Sequence, residues 1–109
     1  MISTSQSLSS ESLSAFLVGL ILPGQPGWLV EEHLDELAHL TSSAGVEVKG
    51  RAVQQRKARD ARTLIGRGKA AEIARSVATL GADLVIFDDD LSASQVKNLE
   101  EIVECQVMD

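Results

Sequence analysis

The chain has 109 residues, enough for one domain, and carries a formal net charge of −6 with a single cysteine. One cysteine excludes an internal disulfide and fits a reducing compartment. The acidic total argues against indiscriminate nucleic-acid binding, and the absence of Tyr argues against recognition by base stacking.

Residues 1–13 hold six Ser and one Thr and no Lys or Arg. Such a segment cannot repay the entropy of ordering, so a disordered Ser-rich tail is predicted. It lacks the basic region of a secretory signal. Residues 14–109 are then expected to form one α/β domain. Ala15–Leu22 (AFLVGLIL) is a continuous apolar run, too short to span a bilayer and stopped by Pro23-Gly24. It reads as a strand buried on both faces. Val30, Leu34, Leu37, Ala38 and Thr41 follow as a helical stripe, with Gly45 as its stop. In Val46–Val53, Val46, Val48 and Ala52 alternate with Glu47, Lys49 and Arg51, the pattern of a half-exposed edge strand.

Ala70, Ile73, Ala74, Val77 and Leu80 mark a second helix that ends at Gly81. Leu84–Phe87 (LVIF) is another buried strand. The third helix has a capping box, Ser92 with Gln95, and a hydrophobic staple, Leu91 with Val96. Gln106-Val107-Met108 reads as a fourth strand. The β-α-β-loop-α-β-α-β order predicts a four-stranded, mainly parallel sheet of order 2-1-3-4 with helices on both faces. Such a sheet usually continues, so a domain of a longer protein is expected.

The charge is unevenly placed. Lys49 to Lys69 holds eight of the ten bases and one acid, Asp60, a net of +7 against −13 for the remainder. Arg56, Lys57, Arg59 and Arg62 lie in the loop before the second helix. The alternatives are a solvated basic loop and a surface for a polyanion recognised by its backbone and shape. Gly66-Arg67-Gly68-Lys69 opens the helix, where free N–H groups could hold a phosphate. It is not a Walker A loop: Thr63 stands where that loop needs its first Gly, and Ala70 replaces the Ser or Thr after the Lys. A tight turn, an RNA phosphate contact and a free nucleotide all stay open. Asp88-Asp89-Asp90 follows a buried strand and could hold Mg²⁺, or could simply be a polar loop beside a helix N-terminus. His33 and His39 are six residues apart on a helix and do not converge.

Four segments in order resemble the N-terminal domain of the HflX-type GTPases. They are Leu17-Val18-Gly19 with Leu22-Pro23-Gly24; Leu34 to Ala38 with Ala44-Gly45; Arg62 to Lys69; and Gly81 to Ser92 continuing to Gln95 and Asn98-Leu99-Glu100. The resemblance runs from about Ala15 to Asp109. It implies a cytoplasmic parent GTPase that uses GTP and Mg²⁺, associates with the large ribosomal subunit and its rRNA, and splits or rescues stalled ribosomes. The helical hairpin and GTPase domain of that family have no counterpart in these residues. The resemblance therefore implies a non-catalytic docking module without a cofactor of its own, holding rRNA phosphates with Arg56, Lys57, Arg59, Arg62, Gly66, Arg67, Gly68 and Lys69. Two other readings are a regulatory domain that meets its own downstream GTPase domain, and a small ATP-binding module using Gly66–Lys69. The family usually has an aromatic where Leu64 stands and prolines where Ala58 and Ala61 stand, so a more flexible loop is expected here.

Overall fold

The computed structural model describes residues 13–109, so all but the last residue of the expected tail lies outside it. The elements are β1 (Ser14–Ile21), α1 (Gly27–Ser43), β2 (Glu47–Gln55), α2 (Arg67–Leu80), β3 (Leu84–Phe87), α3 (Ala93–Val103) and β4 (Gln106–Met108). All three strand pairings are parallel, and the order is β2-β1-β3-β4, as predicted. No helix among the described residues is long and apolar enough to cross a membrane.

The two apolar faces of the sheet fill separately. Ala15, Leu17, Leu84 and Ile86 meet Val30 and Leu34 of α1 on one side. Phe16, Val18, Val85, Phe87 and Val107 meet Ile73 and Val77 of α2 and Leu99 and Val103 of α3 on the other. Strands buried on both faces need apolar residues at every position, which is why β1 and β3 read as unbroken runs. Gly19 lets α1 approach β1: a Cβ there would stand 2.9 Å from Leu34 Cδ1 and 3.1 Å from Val30 Cγ1. Gly81 ends α2 in the left-handed conformation, φ 72°, as the stop signal implied. The capping box at Ser92 forms in both directions.

β2 is an edge strand but does not alternate as its sequence suggests. The ladder passes from Ala15–Val48 directly to Phe16–Gly50, so Lys49 is an extra residue in a bulge. Val48 consequently packs with the α1 cluster and Ala52 with the α2–α3 cluster. The expectation of one continuous Val46–Val48–Ala52 face is wrong for this reason. Arg51 is carried to the α1 side, where it pairs with Glu31 (3.2 Å) and Asp35 (2.9 Å).

Candidate functional site

The basic segment crosses the carboxyl end of the sheet, where open α/β folds place their ligands. The Arg56 amide donates to the Ile21 carbonyl (2.9 Å), tying the start of the loop to β1. Its guanidinium Nε donates to the Ala58 carbonyl (2.9 Å) and its other end lies against Gly66, where a Cβ would come within 2.8 Å. The Gly66 amide donates to the Gln54 side chain (2.9 Å).

Asp60 organises the turn that follows. One carboxylate oxygen accepts the Arg62 amide (2.8 Å) and the Thr63 amide (3.1 Å). The Arg62 N–H above all, and then that of Thr63, hold the Asp60 carboxyl below its ordinary pKa. Asp60 and Leu64 also exchange backbone hydrogen bonds (2.9 and 2.8 Å). This closed turn places Leu64 at φ 67°, an uncommon conformation for a residue with a Cβ. Thr63, Leu64 and Ile65 are buried, so the end of the loop belongs to the core.

α3 clasps the same turn from the side. Gln95 Nε2 donates to the carbonyls of Asp60 (3.2 Å) and Ala61 (3.4 Å), and Asn98 Nδ2 donates to that of Arg62 (3.0 Å). The turn is therefore held at several backbone groups. Gln95 was legible as a helix cap and within the resemblance, and Asn98 only within the resemblance. Their contact with the loop joins residues about 35 apart in sequence, and no local pattern announces it.

The candidate basic residues separate into groups. Arg59 pairs with Asp89 (3.4 Å), and Lys69 turns to Glu72 on its own helix (3.0 Å). Among the described residues, Arg56, Lys57, Arg62 and Arg67 have no carboxylate within ion-pairing distance. Arg62 and Arg67 converge on one cavity of about 260 Å³, together with Thr63, Asn98, Glu101 and Ile102. The N-terminus of α2 has no side-chain cap. Gly68 has open space where a Cβ would sit, so packing does not require glycine there.

Asp88, Asp89 and Asp90 do not converge as a cation site. Asp88 lies 3.9 Å from His33 Nδ1, Asp89 faces Arg59, and the Asp90 amide donates to Asp89 (2.9 Å). Among the described residues no three His, Cys, Asp or Glu side chains are arranged to hold a metal ion. The Mg²⁺ reading of this turn therefore has no grouped set of ligands behind it among the described residues. Cys105 is half-buried, and burial, then Asp83 and Glu100, push its thiol pKa up, which suits an unreactive thiol.

Residues 31–109 match the family described as GTP-binding GTPase N-terminal. The chain is 46% identical over 78 residues to GTPase HflX of Escherichia coli, covering 72% of this chain and 18% of that protein. It is 38% identical over 93 residues to GTPase HflX of Flavobacterium psychrophilum, covering 85% and 22%, and 36% identical over 104 residues to that of Caldanaerobacter subterraneus, covering 95% and 23%. The chain thus spans about a fifth of the length of these relatives. The crystal structure of an SsGBP mutation variant shares the fold, with a TM-score of 0.60 at 14% identity over 88% of this chain and 28% of that one. The chain belongs to the GTP-binding GTPase N-terminal family, as the N-terminal α/β domain of an HflX-type GTPase.

Proposed function

We propose that this domain is a non-catalytic module that docks on ribosomal RNA of the large subunit and positions a GTPase domain of the same protein. The parent protein binds and hydrolyses GTP with Mg²⁺ in the cytoplasm and acts on stalled ribosomes. The observation that carries this reading is that, among the described residues, Arg56, Lys57, Arg62 and Arg67 have no carboxylate within ion-pairing distance, on and beside a turn held by Asp60, Gln95 and Asn98. A fixed basic ridge suits a phosphate backbone, whose charges stand at set spacings. Gly68 and the uncapped start of α2 add room and N–H groups for one phosphate. Arg59 and Lys69 contribute less, since each already faces a carboxylate.

The nucleotide-binding alternative has less support. The Gly66 amide is taken by Gln54, and no hydroxyl residue follows Lys69 to meet Mg²⁺. A regulatory contact with the GTPase domain would use the same ridge, and a binding assay separates the two. Each lost phosphate contact lowers the log–log salt slope by roughly 0.7–0.9. Replacing Arg56, Lys57, Arg62 and Arg67 together with Ala is expected to weaken co-sedimentation with large ribosomal subunits and to flatten the slope by about 3. Unchanged affinity and slope, with the thermal transition intact, would remove the rRNA reading. Lost binding to the isolated GTPase domain instead would favour the regulatory one.

A further inference from the structure

The cavity beside the basic turn is not built for phosphates alone. Arg62, Thr63 and Arg67 line it from the turn and the first residue of α2, and Asn98, Glu101 and Ile102 line it from α3. One lining group is therefore a carboxylate. Among the described residues, Glu101 has no Lys, Arg or His within ion-pairing distance, although it shares the cavity with two arginines. A phosphate would be repelled by that carboxylate. The Asn98 amide is already held: its Nδ2 donates to the Arg62 carbonyl (3.0 Å), which leaves its oxygen and one N–H for a ligand.

These groups match the two edges of one base. A carboxylate can accept two adjacent N–H groups, and an arginine can donate to two adjacent acceptors. Guanine carries N1–H and N2–H on its Watson–Crick edge and O6 and N7 on its Hoogsteen edge. Adenine and cytosine offer a carboxylate only their amino group, and uracil only its ring N–H. The volume of about 260 Å³ falls just short of the roughly 300–1,000 Å³ typical of small-molecule pockets, which suits one unstacked base better than a nucleoside triphosphate. Bases splayed out of single-stranded loops are what sequence-specific RNA binding reads.

We infer that this cavity reads one unpaired guanine of an RNA. Glu101 accepts its N1–H and N2–H, Arg62 or Arg67 donates to O6 and N7, and Ile102 supplies an apolar wall. The inference rests on the RNA reading of the basic ridge and adds base selectivity to it, with Arg56 and Lys57 left for the flanking phosphates. The test is binding of the whole chain to uridine-rich single-stranded RNAs of about ten nucleotides that differ only at a central position. Guanine there should bind about tenfold more tightly than adenine, cytosine or uracil. Inosine, which lacks the N2 amino group, should fall between. NMR shifts at Asn98, Glu101 and Ile102 should accompany guanine specifically. Glu101→Gln decides the matter by its sign. Glu101 is exposed, so the fold should tolerate the change. Losing a merely repulsive carboxylate would tighten binding to every RNA. Losing a guanine-reading one should weaken the guanine RNA by about tenfold and spare the others. Equal affinity for all four RNAs, or tighter binding of all of them by Glu101→Gln, would overturn the inference. If that unselective binding still weakened on replacing Arg56 and Lys57 with Ala, the basic ridge would stand without the base pocket. No binding to any RNA would remove both.

Discussion

The basic turn after β2 and the acidic turn after β3 lie at the same end of one sheet, yet their charges are employed differently. In the acidic turn two of the three carboxylates have a basic neighbour, Asp89 with Arg59 and Asp88 beside His33. In the basic turn the backbone is held mainly by the single acid Asp60 and the neutral amides of Gln54, Gln95 and Asn98, with one cation, Arg56, on the Ala58 carbonyl. Holding a loop with amides fixes its shape without neutralising its cations. A charge used to fix structure is largely lost to ligands, so the two turns differ in what they can offer a partner even though both are highly charged.

The comparison breaks first at the floor of the basic turn. Leu64 is 1% exposed, and truncating a buried leucine costs roughly 2–5 kcal/mol. Leu64→Ala should lower the urea midpoint by a corresponding amount. A midpoint that hardly moves would show that the turn sits on the core without being part of it.

The clasp is the next test. Gln95→Ala removes the return bond of the helix cap and the hold on Asp60 and Ala61, and should destabilise by roughly 1–2 kcal/mol. Amide exchange at Arg62 and Thr63 should accelerate more than that at Leu99, deep in the core. Asp60→Asn sharpens the point through pH. The folded carboxyl is held below its ordinary pKa, so its contribution is present above about pH 4 and is lost as pH falls through the folded value. The stability gap between the parent chain and Asp60→Asn should therefore close in acid. A gap independent of pH would show that the carboxylate charge does not matter to the turn.

The smallest effect belongs to the link between the two turns. Arg59 and Asp89 form a partly exposed ion pair at the surface, worth about 0–1 kcal/mol and weakened by salt. Arg59→Ala should shift the unfolding midpoint little at physiological salt. A large shift would mean that the turns stabilise each other and cannot be compared as separate devices.

The sequence made the architecture readable because the sheet is parallel and buried. β1 and β3 announce themselves as apolar runs, and α2 and α3 as stripes bounded by Gly81 and by the Ser92–Gln95 box. The strand order followed from the weaker pattern of β2. The details of that strand did not follow, since one extra residue reverses the alternation and nothing in the composition of Lys49-Gly50 marks it. At the candidate site, charge clustering marked the loop that the fold sets between β2 and α2. It could not separate Arg62 and Arg67, which share a cavity, from Arg59 and Lys69, which meet acids. Those pairings depend on which carboxylates the fold brings near, and Asp89 lies 30 residues from Arg59.

The bulge at Lys49 also bears on self-association. The outer edge of β2 is an open row of backbone donors and acceptors, the kind of surface that recruits further strands. An inserted residue breaks the even spacing that an incoming strand would need, and Lys49 adds a charge at the break. The β2 edge is thus guarded against edge-to-edge growth by an irregularity and a charge.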